Sequence, residues 1–221
     1  MNQLTEFFDF QFALEILPQL LQGLLVTIQV SFAAFAVAAI TGLLLALGRR
    51  SENGLLSNVS GAIVEFVRST PLLVQLFFFF YVMPRYGLRL PAFIVGTLAL
   101  GLHYGTYTSE VYRAGIDAVA EGQWEASRAL NFSPMHTWTR IILPQAIPPM
   151  FPALGNYLVA MFKESALLFS ITVTELMYTG QTIGTRSFRY LEPITLVGAL
   201  YFLLSYPSSI FVRRLEARYA R

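Results

Sequence analysis

The stretch Glu121–Pro144, EGQWEASRALNFSPMHTWTRIILP, is the longest polar-containing segment of an otherwise very apolar chain. It predicts two short helices joined by a punctuated turn. The first covers about Gly122–Leu130, where Glu125, Ala126, Arg128, Ala129 and Leu130 are good helix formers. Asn131 stands where a helix-ending residue in the left-handed conformation is wanted. Ser133 suits an N-cap and Pro134 the first position of a second helix, which should run to about Leu143 and stop near Pro144. On local chemistry alone this is an ordinary surface helical hairpin.

Around it, 221 residues with 55% hydrophobic and 13% charged side chains and a mean hydropathy of +0.57 exceed the apolar content usual for soluble domains and indicate a polytopic membrane protein. With no cysteine, disulfides and thiolate metal sites are excluded. A net charge of +2 gives no reason to expect nucleic acid. Glu6, Asp9 and Glu15, with no Lys or Arg beside them, leave no basic n-region for a cleavable signal peptide.

The expected fold is all-α and polytopic, with five transmembrane helices. Residues 1–18 read as an extracytoplasmic or interfacial lead-in ending at Pro18, residues 19–212 as one transmembrane domain with a cytoplasmic loop at 115–144, and residues 213–221 as a basic cytoplasmic tail. Stretches long enough to cross a bilayer, about 20 apolar residues each, lie within Leu20–Leu47, Val59–Met83, Pro91–Ala114, Ile147–Ile171 and Pro193–Val212. Glu65 and Arg68, at i,i+3 spacing, read as an ion pair at the entry of the second. Thr172–Glu192 reads as a polar connection. With the N-terminus outside, Arg49, Arg50, Arg68, Arg113, Arg128, Arg140, Arg213, Arg214, Arg218 and Arg221 fall inside. Arg85, Arg89, Arg186 and Arg189 fall outside, and Lys163 lies in the membrane. Ten against four satisfies the positive-inside rule and puts Glu121–Pro144 in the cytoplasm.

Two motifs then resemble one family. Glu125-Ala126-Ser127, three residues, Asn131, nine residues, and Ile141-x-Leu143-Pro144 resemble the EAA loop of ABC importer permeases, with Ser127 for Ala and Asn131 for Gly. Phe66–Gln75, FVRSTPLLVQ, is similar to the signature of the polar amino acid branch of those permeases, with Ser69 for Gly. Gly101–Ile116, Trp124–Ser133, Ala160–Ser165 and Phe188–Pro193 are similar to ectoine/hydroxyectoine permeases within that branch. The resemblance implies the membrane permease subunit of a type I ABC importer in a bacterial inner membrane. Its implied partners are an ATPase dimer, a second permease (itself or a paralogue) and an extracytoplasmic solute-binding protein. The docking segment would comprise Glu121, Gly122, Gln123, Trp124, Glu125, Ala126, Ser127, Leu130, Asn131 and Pro144.

No G-x-x-x-x-G-K-[ST] loop occurs, so ATP and Mg²⁺ are expected on the partner ATPase and no cofactor on this chain. His103 and His136 have no metal-type partners near them in sequence. The expected solute path is drawn from ionisable and aromatic residues in the spans, Glu164, Lys163, Glu110 and Tyr107, because such groups usually face protein or a water-filled route. A compact zwitterion such as ectoine needs a carboxylate or aromatic face for its cation and a donor for its anion, and Glu164 and Lys163 supply one of each. A structural ion pair locking the fourth span to a neighbour fits the same two residues. A polar amino acid such as glutamine, histidine, arginine or glutamate is the alternative solute. An intramembrane enzyme and a secondary transporter are more remote readings, and the inverted repeats common in the latter are not evident.

Overall fold

A computed structural model describes residues 8–219; Glu6 and the start of the lead-in, and Arg221 at the end of the tail, lie outside them. Every element among the described residues is helical. The first helix, α1 (Phe10–Arg49), starts where the Asp9 carboxylate accepts hydrogen bonds from the amides of Gln11 and Phe12. It runs straight through Pro18, so the lead-in is not a separate helix ending there. Ile16 and Leu20, on either side of the proline, are both buried in one apolar cluster with Leu176, Ile183, Val197 and Leu200, and this packing holds the two halves in line despite the missing amide.

The second expected span is broken. Helices α2 (Gly54–Arg68) and α3 (Leu72–Phe77) meet at Ser69-Thr70-Pro71, and the bend from α2 to the stretch Leu72–Tyr86 is 101°. Pro71 has no amide to donate and pushes Thr70 away from helical geometry. The side-chain nitrogen of Gln75, Nε2, takes over, donating to the Val67 carbonyl (2.8 Å), the Thr70 carbonyl (3.1 Å) and Thr70 Oγ1 (2.8 Å). Beyond α3 the chain makes a π-helical turn, Phe78–Val82, and a 3₁₀ turn, Met83–Tyr86.

Helix α4 (Ala92–Asp117) packs along α1 more extensively than any other pair. The approach depends on small residues facing backbone. A Cβ on Gly42 would meet Thr108 Oγ1 at 2.0 Å and the Gly105 carbonyl at 2.8 Å, and one on Gly101 would meet the Ala34 carbonyl at 2.8 Å. Thr108 donates to the Ala38 carbonyl of α1 at 2.8 Å. This is close small-residue packing of the kind that holds helices together in lipid.

The hairpin follows as α5 (Glu121–Ala129) and α6 (Pro134–His136). A π-helical segment, Thr137–Ile142, then leads directly into α7 (Leu143–Glu164). The second hairpin helix therefore does not stop at Pro144, and the loop expected at 115–144 is narrower, since α4 also continues to Asp117. The wider π turn lies beside the Arg140 carbonyl that the Pro144 ring would otherwise strike, and Gln145 Nε2 donates to the Ile141 carbonyl at 2.6 Å. After a 3₁₀ turn, Ser165–Ile171, helix α8 (Leu176–Ser187) continues at a 48° bend. The polar connection expected over Thr172–Glu192 is thus mostly helix. Its N-cap is the fully buried Glu175, which accepts from the amides of Met177 (2.9 Å) and Tyr178 (2.7 Å) and from the Tyr201 hydroxyl (2.6 Å). The last helix is α9 (Leu191–Tyr219).

Helices α1 and α9 are both long and apolar enough to cross a bilayer; the bent pair α2–α3 and the bent pair built from Pro134–Ile171 and α8 are the other such segments. Helix α4 is long enough, but its second half carries the polar run from His103 to Glu110. Ion pairs mark both ends of the bundle. At one, Arg189 joins Asp9 (3.2 Å) and Glu192 across the starts of α1 and α9. There the Phe12 amide, then the Arg189 guanidinium, hold the Asp9 carboxyl below the ordinary carboxylate range. At the other, Arg50 pairs with Asp117, joining the ends of α1 and α4.

Candidate functional site

Two sites emerge, at the hairpin and in the bundle. In the hairpin, α5 ends as a Schellman motif: the Asn131 amide donates to the Arg128 carbonyl and the Phe132 amide to the Ser127 carbonyl, each at 3.0 Å. Asn131 carries φ 53°, in the left-handed region. The Ser133 hydroxyl accepts from the His136 amide, with Pro134 at the first helical position. Trp124 and Trp138 meet edge to face at 5.2 Å and clasp the two arms. Ser127 is buried, and its hydroxyl donates to the Gln123 carbonyl at 2.7 Å. The rest of the segment faces out: Glu121, Gly122, Gln123, Glu125, Ala126, Arg128, Leu130, Asn131 and Pro144 are all exposed. Leu130 and Met135 are 64% and 73% exposed, a combination of apolar knobs and charge that a protein partner would cover.

The second site is a cavity of about 660 Å³ at the break between α2 and α3, lined by Arg68, Ser69, Thr70, Pro71, His103, Tyr107, Lys163 and Glu164 among others. It gathers residues from three distant parts of the chain. Lys163 and Glu164 both line it, although successive residues on a helix point about 100° apart; α7 ends at Glu164 and the backbone tightens to 3₁₀ there. Neither makes an ion pair with a described residue, so no interhelical lock is seen for them among the described residues. The Glu164 carboxylate neighbours the Tyr104 hydroxyl. Tyr107 is half-buried in an aromatic group, its ring 5.4 Å from His103 and 5.8 Å from both Tyr104 and Tyr157.

Glu110 stands apart from this lining. It is engaged by Arg49, by Arg113 at 3.0 Å and by Arg68 at 3.8 Å. The ion pair expected between Arg68 and Glu65 is replaced by this longer-range one: both residues lie on α2, and Arg68, at its last position, reaches Glu110 of α4 instead. Sequence reasoning met Gln75 only as the end of the Phe66–Gln75 signature and His103 only in setting aside a metal site, yet the two brace the break: His103 Nδ1 lies 3.3 Å from Gln75 Oε1. Polar residues inside an apolar run were the available signal for both.

Comparison with known proteins identifies the family. Residues 38–221 match the family described as "Binding-protein-dependent transport system inner membrane component". The chain is similar to the "Probable amino-acid ABC transporter permease protein y4tG" of Sinorhizobium fredii, 45% identical over 205 residues, 93% of this chain and 89% of that protein. It is similar also to the "Putative glutamine transport system permease protein GlnP" of Rickettsia bellii, 33% identical, covering 95% and 98%. Among solved structures, one described as an amino acid ABC transporter with histidines superposes with a TM-score of 0.88 at 34% identity over 96% of this chain and 99% of that one. None of these descriptions mentions ectoine. The chain belongs to the binding-protein-dependent transport system inner membrane components, the membrane permeases of type I ABC importers.

Proposed function

We infer that this permease moves a zwitterionic amino acid across a bacterial inner membrane, with Glu164 as the group that receives the solute's cation. The observation that carries the reading is mechanical continuity. From Pro134 the chain stays helical through the π segment to Glu164, so the exposed hairpin at one end and two cavity-lining charges at the other belong to a single rod. An ATPase pair that binds the hairpin and closes on ATP would tilt that rod and change the cavity that Glu164 and Lys163 share with Arg68. ATP and Mg²⁺ stay on the ATPase. A binding protein would deliver the solute from outside, and a second permease, a copy of this chain or a relative, would complete the path.

An amino acid is preferred over ectoine because the relatives are described as amino-acid and glutamine permeases. The charge pattern of the cavity serves either. The test is uptake of radiolabelled glutamine by the complete transporter in cells, with ectoine as competitor. Glu164→Gln preserves shape and removes the charge, and should lower uptake at least about tenfold with normal assembly. Lys163→Met should affect assembly little, since Lys163 has no ion-pair partner among the described residues. Competition by ectoine but not by amino acids would return the solute to ectoine. Wild-type uptake by Glu164→Gln, or its failure to assemble, would remove Glu164 from the site.

A further inference from the structure

The cavity carries an excess of positive charge. Its charged lining is Arg68, Lys163 and Glu164. Behind Arg68 lies Glu110, the carboxylate that a paired arginine would use, and it is already taken. Arg49 engages Glu110 Oε1 and Arg113 engages Oε2 at 3.0 Å. Arg68 reaches Oε1 only at 3.8 Å, beyond hydrogen-bond length. Three guanidinium groups thus surround one carboxylate, and Arg68 is the one left without a close partner. Its side chain is 38% exposed, and its guanidinium carbon stands 4.9 Å over the ring of Tyr107, a residue of the same cavity. Stacking of this kind fixes the plane of a guanidinium while leaving its N–H donors free.

An oriented guanidinium with unused donors is a receptor for a carboxylate, which it can bind through two parallel hydrogen bonds. Lys163 lines the same cavity as a flexible point charge with no ion-pair partner among the described residues to orient it, and is the poorer candidate. We propose that Arg68 binds the solute's carboxylate, and that the cavity therefore selects amino acids of net charge zero or minus one over cationic ones. A bound zwitterion would occupy Arg68 and Glu164 and leave the charge of Lys163 uncompensated. An acidic side chain would neutralise it, whereas a basic one would add to it. This selectivity rests on the amino-acid reading above.

The test is equilibrium binding of radiolabelled L-glutamine to the purified permease–ATPase complex without binding protein, so that the permease's own preference is read. Unlabelled L-glutamate should compete at least as well as L-glutamine. L-arginine and L-glutaminamide, which lacks the free carboxylate, should each require about tenfold more or higher. Arg68→Gln should weaken glutamine about tenfold and erase the difference between glutamine and glutaminamide, and Arg68→Lys should fall between. If Arg68→Gln does not assemble, the wild-type competition series and Arg68→Lys decide the matter. Arginine competing as well as glutamine would overturn the proposal, as would loss of the amide discrimination in Lys163→Gln rather than in Arg68→Gln. In both cases glutamine still binds and the amino-acid reading stands. Absence of binding by any amino acid to the wild-type complex removes both.

Discussion

At the scale of single residues, the seam between α1 and α4 is set by the absence of atoms. Gly42 faces Thr108 and the Gly105 carbonyl so closely that one added methyl would sit 2.0 Å from a hydroxyl, whereas a Cβ on Gly61 meets nothing within 4 Å. Gly42→Ala should therefore destabilise by about 1–3 kcal/mol through forced separation of the helices, and Gly61→Ala should be neutral or slightly favourable through helix propensity. Thermal unfolding of the detergent-solubilised permease checks the contrast, and equal midpoints would refute this account of the seam. Local chemistry made some residues legible beforehand. Asn131 and Ser133 act through bonds within five residues of themselves, so their capping roles follow from sequence. The partner of Arg68 lies on another helix and was misassigned to Glu65, because spacing along one helix says nothing about a carboxylate that a neighbouring helix brings closer.

Among the elements, the hairpin is the one proposed to couple the permease to an ATPase. Its own stability resides in the Trp124–Trp138 contact, buried Ser127 and the turn at Asn131, while Glu125 and Ala126 are exposed and support none of these. Glu125→Lys and Ala126→Trp should accordingly leave folding intact and abolish most ATPase stimulation by the permease. Normal stimulation in both variants would move the docking surface elsewhere. Asn131→Gly should transport normally, since glycine adopts positive φ without strain. Asn131→Val should cost about 1–2 kcal/mol of hairpin stability, because a branched side chain resists the left-handed region. The hairpin could be read in advance because its punctuation is strong. The α2–α3 break and the run from α7 to α8 could not, although Pro71, Pro144 and Pro148 stand in plain view. Whether proline ends a helix or only bends it depends on what replaces its missing hydrogen bond, and at Pro71 the replacement is the Gln75 side chain.

For the whole molecule, the alternation of helices sets their relative directions and the distribution of charge sets which end faces inward. Arg50–Asp117 ties the C-terminal ends of α1 and α4 together, and Asp9–Arg189–Glu192 ties the N-terminal ends of α1 and α9. Helices α1, α4 and α9 therefore run in one direction, and the segments between them return, which is the order that five crossings with the N-terminus outside require if each bent pair makes one. The positive-inside rule selects the same orientation, since the basic excess gathers at the hairpin's end. The alternation alone fits either orientation, and the charge asymmetry is what chooses between them. The chain contains no cysteine, so single cysteines report position without background. Phe188 is 91% exposed after α8, and Leu130 is 64% exposed on the hairpin. In intact cells an impermeant thiol reagent should label Phe188→Cys and spare Leu130→Cys, and permeabilisation should expose the second. Labelling of both from outside would break the five-crossing scheme, and labelling of Leu130→Cys alone would invert it and leave the hairpin where no ATPase could reach it.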